Sequence, residues 1–238
     1  MDYHRKVCNN VKKEILLLAY LKTKELGNVT LLDLCCGRGG DIFKWNSVGI
    51  KKVIAVDNHK ESIKEAINRY KKVNKNFKTK ISFFVKDVEN LNFNQFYKNC
   101  LIVSIQFALH YFNNLQSLIS RISNILKPGG YFIGVCPDGD IIDSLLDKET
   151  KIKNVELNRK GPSSYSINLL ESVSDNNKTE NYFKFKGESI EYIIRKEELK
   201  NIASNFGLEL VKYSNLKDEW KGNHISKLYF SFIFVKKI

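Results

Sequence analysis

One segment constrains this chain more than any other: Leu31-Leu32-Asp33-Leu34-Cys35-Cys36-Gly37-Arg38-Gly39-Gly40-Asp41. An apolar strand runs into a glycine-rich turn, and a helical stretch follows at about 41–48. Such a turn lets a ligand approach the backbone and aims helix N–H groups at it. A dinucleotide-binding strand–turn–helix would carry G-x-G-x-x-G here. This chain has D-x-C-x-G-x-G-G-D instead, so the spacing offers no pyrophosphate cradle.

The same alternation continues downstream. Residues 5–26 read as a helix, from apolar positions at Val7, Val11, Ile15, Leu18 and Leu21. Apolar strands are predicted at 29–34, 52–56, 81–85, 101–105 and 131–135, with helices at 59–73 and 115–126. Lys127-Pro128-Gly129-Gly130 reads as a sharp helix stop. Short apolar strands alternating with helices imply a parallel α/β sheet covered on both faces. After Cys136 the pattern changes. Residues 151–190 are polar, with strand-like pieces at 165–170 and 182–186. They are too long for a plain loop and read as an inserted β lid. A helix at 196–205 and strands at 208–213 and 228–235 restore the α/β pattern. The expectation is one domain over 1–238, with an N-terminal helical segment at about 1–26.

Charge and cysteine usage remove several classes. Lys plus Arg outnumber Asp plus Glu by 39 to 26, a net charge of +13. Only six of the 39 are Arg, and Asn is abundant. The charge therefore fits either a polyanionic partner or the codon bias of an AT-rich genome. The apolar run at 15–21 is broken by Lys22, too short to span a bilayer, and no cleavage site follows it, so no membrane segment is expected. Five cysteines without C-x-x-C, and four histidines without H-x-x-x-H, argue against a disulfide framework or a metal site and for a reducing compartment.

Three carboxylates fall at successive strand ends. Asp33 closes the first strand. Asp57, 24 residues on, closes the second, where a carboxylate can accept both ribose hydroxyls of an adenosine. Asp87 follows the third, placed for an adenine amino group. Ligands of such sheets bind outside the carboxyl ends of the strands. Gln106-Phe107-Ala108-Leu109-His110-Tyr111 follows the fourth strand, where a second substrate would meet the first ligand.

The first motif resembles that of class I S-adenosylmethionine methyltransferases, D/E-x-G-x-G-x-G, with Cys35 at the first glycine. The resemblance becomes specific with Asn9-Asn10-x-x-Lys13, Gly39-Gly40-Asp41-x-x-Lys44-Trp45, Gln106 to Tyr111, Leu126 to Gly134, Pro137-Asp138-Gly139, Tyr182 to Phe185, and Glu191 to Ile194. Nearly the whole chain resembles the mRNA cap guanine-N7 methyltransferase family.

That resemblance implies a Rossmann-like three-layer fold, with a mostly parallel seven-stranded sheet and the lid. It implies S-adenosylmethionine at Lys13, Asp33, Gly37, Asp57, Asp87 and Gln106. It implies the cap guanine and its surroundings at Asn10, Arg38, Phe107, His110, Tyr111 and Glu191. The reaction would be methyl transfer to N7 of a GpppN 5′ end, with no acid–base residue and no metal. Capped RNA would be the partner, with an activating or capping-enzyme partner also possible. The domain would be monomeric, nuclear if cellular and at a cytoplasmic replication site if viral. Two alternatives stand beside this: a small-molecule methyltransferase, and a non-catalytic RNA-binding or partner-activating subunit. Among the charges, Lys51-Lys52 and Lys71-Lys72 read as solvated faces. Arg38, with Arg159 or Lys160, is expected near the guanine pocket.

Overall fold

The apolar runs become the strands of one seven-stranded sheet in a computed structural model. It describes residues 3–73, 75–90, 100–148, 155–169, 189–216 and 225–238. The strands are β1 (Thr30–Leu34), β2 (Lys52–Asp57), β3 (Lys80–Val85), β4 (Cys100–Gln106), β5 (Leu126–Pro137), β9 (Leu208–Asn215) and β10 (Tyr229–Lys236), in the order β3-β2-β1-β4-β5-β10-β9. The first five are parallel. β10 enters antiparallel to both β5 and β9. The helices are α1 (Tyr3–Thr23), α2 (Ile42–Val48), α3 (Lys60–Lys71), α4 (Leu115–Ile125), α5 (Gly139–Asp147) and α6 (Lys196–Asn205).

Strand alternation divides the interior into two cores. Leu32, Leu34, Ile54, Val56, Val103 and Ile105 face α4 and α6. Leu31, Val53, Ala55, Ile102 and Ile133 face α1 and α2, whose Ile15, Leu16, Ile42 and Trp45 are buried against them. Because side chains alternate along a strand, Asp33, Asp57 and Gln106 emerge on the α1–α2 face. The period-2 pattern thus sends these three polar strand-end groups to one side. Each fully buried side chain of Leu or Phe size contributes about 1.5–3 kcal/mol, so both faces are anchored well before the polar ends are considered.

Two details differ from the sequence reading. The helix before Lys127-Pro128-Gly129-Gly130 does end, at Ile125, but the chain enters β5 directly at Leu126. Gly129 turns with φ +75°, and a Cβ on Gly130 would lie 2.8 Å from the Lys127 carbonyl oxygen. The second difference is α5, which periodicity did not reveal. It exists because Asp138 caps it, Oδ1 accepting from the N–H groups of Asp140 and Ile141. Asp138 Oδ2 meanwhile accepts from the Tyr213 hydroxyl (2.7 Å) and the Asn215 amide (2.8 Å).

The inserted segment forms its own antiparallel sheet of β6 (Val155–Gly161), β7 (Ser164–Leu169) and β8 (Ser189–Tyr192), with β7 central. The strand expected at 182–186 lies outside the described residues. β8 is tied to the body just beyond its end, where the Gly139 N–H donates to the Ile194 carbonyl (2.9 Å). No helix among the described residues is long and apolar enough to cross a membrane.

Candidate active site

The turn after β1 is built on left-handed backbone. Cys35 has φ +60°, Gly37 +52° and Gly39 +72°. Gly39 is doubly required, since a Cβ there would also sit 2.6 Å from Ile42 Cδ1 and 3.0 Å from Ala66 Cβ on α3. The Cys36 N–H donates to the Val56 carbonyl, and the Gly37 N–H donates to Asp57 Oδ2 at 2.8 Å. Asp57 Oδ1 accepts from the His59 N–H at 2.9 Å. Asp57 therefore braces the turn and the entry to α3, with one lone pair on each oxygen still available. Asp87 is half-buried and braces its own loop, through the Glu89 N–H (2.9 Å) and the Asn90 amide (2.8 Å).

Beside the turn lies a cleft lined by Lys12, Leu16, Asp41, Lys44, Trp45, Ser104, Gln106 and Ile133. Asp41 Oδ1 is 2.8 Å from Lys12 Nζ and 2.7 Å from Lys44 Nζ. Burial alone would raise the Asp41 carboxyl, but the two ammonium groups outweigh it and hold it below the usual range. At Asp33 the pull of a Ser104 hydrogen bond and of Lys12 is outweighed. Burial and the Asp41 charge push its carboxyl up to about 8, and its Oδ1 is buried with no hydrogen-bond partner among the described residues. The Gln106 amide donates to Ser104 (3.1 Å), and its Oε1 is likewise buried and unmatched. A pair of orphaned acceptors on one wall suits a ligand carrying N–H or O–H donors, and a cation in particular.

The lysine expected in this cleft is Lys13. The structure places Lys13 on the exposed side of α1, and Lys12 is the one buried beside Asp41. The reason is helical phase. Val7, Cys8, Val11, Ile15, Leu16 and Ala19 form the inward stripe of α1, and Lys12 falls inside it. Lys12 Nζ also lies 5.8 Å from the Phe107 ring centre, so it touches the neighbouring cluster as well.

That cluster begins where β4 ends. Phe107 takes φ +57°, with its N–H on the Val135 carbonyl, and its ring meets Tyr229 edge-on at 5.1 Å. His110 is buried, and Tyr111 lies against it with ring centres 4.2 Å apart while staying partly exposed. From the lid, Glu191 of β8 is buried directly across from Tyr165 of β7. The Tyr165 hydroxyl donates to Glu191 Oε2 at 2.6 Å. Glu191 Oε1 is 3.6 Å from His110 Nε2. This is not an ion pair, because burial drives the imidazole down to about 3 and it stays neutral. Burial pushes Glu191 up to about 7 against the pull of the Tyr165 hydrogen bond. The result is a carboxylate with Oε2 anchored by Tyr165 and Oε1 beside His110. His110 Nδ1 is buried without a partner among the described residues.

Of the residues expected around the guanine, the structure brings Phe107, His110, Tyr111 and Glu191 together. Asn10 is exposed on α1. Arg38 points to α3, where it pairs with Glu65 at 3.3 Å. Arg159 is engaged by Asp143 (3.1 Å) and Asp147 (2.8 Å) of α5, at the base of the lid. Sequence reading missed Tyr165 and Lys12, and gave Tyr229 only as a weaker match to the family pattern. Tyr165 left a signal, as an aromatic at the head of the first predicted lid strand.

A family model described as the mRNA (guanine-N(7))-methyltransferase domain matches residues 2–234. The mRNA cap guanine-N(7) methyltransferase of Candida albicans is 29% identical over 266 residues, covering 96% of this chain and 56% of that protein. That of Saccharomyces cerevisiae is 31% identical over 225 residues, covering 85% and 50%. The chain thus spans about half the length of the curated relatives it matches. Among solved structures, an S-adenosylmethionine-dependent methyltransferase from Clostridium acetobutylicum aligns with TM-score 0.65 at 18% identity, over 95% of this chain and 91% of that one. The magnesium protoporphyrin IX methyltransferase of Synechocystis, solved with bound SAH, aligns with TM-score 0.64 at 12% identity, over 99% and 86%. The fold is that of the class I methyltransferases.

Proposed function

From the premise that this chain belongs to the mRNA (guanine-N(7))-methyltransferase domain family, we propose that it methylates N7 of the guanine cap of mRNA. The observation that carries the reading is Glu191, a buried carboxylate held by Tyr165, with its second oxygen beside the Phe107–His110–Tyr111 cluster. A guanine presents N1–H and an exocyclic amine on one edge, and a fixed carboxylate accepts from both. An adenine, which has no N1–H, would leave that carboxylate unpaired, a costly mismatch in a buried site.

The residues of the cleft fit S-adenosylmethionine. Asp33 Oδ1 and Gln106 Oε1 await donors, Lys12 offers a cation near the turn, and Asp57 and Asp87 retain free lone pairs at the strand ends. When bound there, this cofactor supplies an electrophilic methyl group on a sulfonium. The chain's residues need only hold the purine in line. Guanine N7 carries a lone pair and no proton, so no general base is required. Alignment alone accounts for up to about 7–11 kcal/mol in well-oriented reactions. The purine becomes cationic as it is methylated, and Glu191 favours that charge through the ring edge. Phe107 and Tyr111 hold the base by packing, worth about 1–3 kcal/mol per base. His110, neutral, donates or accepts a hydrogen bond without competing for charge.

Capped RNA is the proposed substrate. We place the chain in the nucleus, as a cellular enzyme like its eukaryotic relatives, with any activating subunit bound elsewhere. The deciding assay is methyl transfer from labelled S-adenosylmethionine to GpppG-capped RNA, uncapped RNA and free GTP. Transfer to the capped RNA alone supports the reading. Transfer to none, with the cofactor and a cap analogue both bound, would make this a silent subunit. Transfer only to unrelated small acceptors would make it a different methyltransferase.

A further inference from the structure

The net charge of +13 is not spread evenly, and its densest part lies away from the cleft. Residues 66–86 carry seven Lys or Arg and no acidic residue. Folding gathers most of them at one pole. α3 starts near the carboxyl ends of the strands and runs back to the opposite end of the sheet. Its last turn is tied to the start of β3, with the Tyr70 hydroxyl on the Thr79 carbonyl at 3.0 Å. There Lys80 is in register with Lys52, and the Lys80 N–H donates to the Lys51 carbonyl. The Lys78 N–H is held by Asn46 at 2.8 Å.

Lys51, Lys52, Arg69, Lys71, Lys72, Lys75, Lys78 and Lys80 are thereby clustered, and all are exposed. None pairs with a carboxylate among the described residues, whereas Lys64 and Arg38 do. The acidic residues of α3, Glu61 and Glu65, lie in its first half. Cations on the last turn of α3 suit the helix dipole, which accounts for Arg69 and Lys71. It does not account for the lysines of the following loop or of β2 and β3.

An aromatic path crosses the same region. Tyr70 meets Phe77 at 5.7 Å and Phe83 at 6.0 Å, and Phe77 meets Phe43 of α2 edge-on at 6.2 Å. Phe43 is 61% exposed, so its outer side is open. Cations that track a phosphate backbone, next to an exposed ring on which a base can stack, are the two components of a single-strand binding face. A solvated lysine surface needs only the first. An acidic peptide would match the lysines but not the ring.

We propose that this pole binds the body of a single-stranded RNA through its phosphates, with a base stacked on Phe43. The inference extends the proposed function: the 5′ end would occupy the strand ends, while the chain further along contacts a pole about 17 Å away, the length of β2 at 3.3 Å per residue.

The test uses the whole chain and an uncapped oligouridylate, so it does not depend on methyl transfer. In the variant Lys71→Gln/Lys72→Gln/Lys75→Gln/Lys78→Gln, oligouridylate affinity should fall at least about tenfold at low salt. The slope of log affinity against log salt should become shallower by about 2–3, since each phosphate neutralised on a single strand contributes roughly 0.7. Phe43→Ala should weaken binding several-fold with the slope unchanged, because stacking releases no counterions. Methylation of the dinucleotide GpppG should be unaffected in both variants, and thermal melting checks that they fold. Unchanged affinity and slope in the lysine variant would overturn the proposal. So would binding of oligoglutamate with the same lysine dependence and no binding of oligouridylate. Phe43→Ala binding like the parent overturns the single-strand assignment. If GpppG is not methylated but oligouridylate still binds through these lysines, the catalytic reading fails and this one stands.

Discussion

The two halves of the proposed active site are held in different ways. At the ends of β2 and β3, carboxylates are tied into backbone. Asp57 takes the N–H groups of Gly37 and His59, and Asp87 takes that of Glu89. At the end of β4 and in the lid, side chains are held only by one another: Tyr165 on Glu191, Glu191 beside His110, Tyr111 against His110. The first arrangement is fixed by the backbone groups it braces. The second is buried, sparsely satisfied and poised near neutrality. A pocket that grips a cofactor through fixed backbone can afford rigidity. A pocket that must accept one base and reject others gains from an acceptor whose unmet bond is costly.

The largest break in that comparison should come from Glu191→Ala. Losing a charged acceptor for two guanine donors, at about 1.5–3 kcal/mol each, should cut kcat/KM for GpppG at least ~100-fold. Cofactor affinity by calorimetry should stay within about twofold. Full turnover by this variant would remove Glu191 from guanine reading. Asp57→Ala should do the converse. It deletes one charge-assisted bond to the turn and one to the entry of α3, so the melting temperature should drop by roughly 5–10 °C. Cofactor affinity should weaken by at least about tenfold. A normal melt with weakened binding would mean that Asp57 touches the ligand without bracing the turn.

Tyr165→Phe tests the tuning. Glu191 must be ionised to accept from both guanine donors, and its carboxyl sits at about 7 with the Tyr165 bond pulling it down. Activity on the cap should therefore rise with pH through about 7 in the parent. Removing the hydroxyl should move that midpoint upward by about one unit, equivalent to about 1.4 kcal/mol. Rates should converge above the new midpoint. A uniform loss at all pH values would instead mark Tyr165 as packing alone. The cofactor side predicts its own pH effect. Asp33 is protonated below about 8 in the free chain. A cationic ligand beside it should release a proton, so affinity should rise with pH up to about 8. Calorimetry in buffers of different ionisation enthalpy reads this directly.

How legible each half was follows from the same contrast. Asp33, Asp57 and Asp87 sit at strand ends that repeat every β-α unit, so spacing alone singled them out, whereas Gln106 was assigned to the cofactor through family resemblance. The Tyr165–Glu191 pair is 26 residues apart in sequence and meets only through lid register. Nothing local specified it, and Glu191 was found through family resemblance. Lys12 was missed because two adjacent lysines look alike until α1 is phased against the sheet. The comparison Lys12→Met against Lys13→Met checks that phase. Lys12→Met should weaken cofactor binding about tenfold and cost stability, since Asp41 would keep only Lys44. Lys13→Met should change neither.

The smallest expected effect concerns the residue that departs from the glycine pattern. Cys35 holds φ +60° with a side chain, a conformation that costs an L-residue about 1–2 kcal/mol. Cys35→Gly would relieve that strain, but it also frees the unfolded chain, which costs about 0.5–1 kcal/mol. It would also withdraw a thiol that packs against the α4–α6 core. The terms nearly cancel, so stability should change by less than about 1 kcal/mol and cofactor affinity by no more than a few-fold. The thiol itself is inert. Burial, then the charges of Asp57 and Asp33, push its ionisation well above the usual range, so alkylation at neutral pH should be slow. Cys35→Val supplies the contrast, because a β-branched side chain at this φ is a true outlier. It should lower the melting temperature where Cys35→Gly does not. Equal stability for the two would mean that the turn relaxes out of left-handed backbone, and that Cys35 is tolerated because it meets no strain.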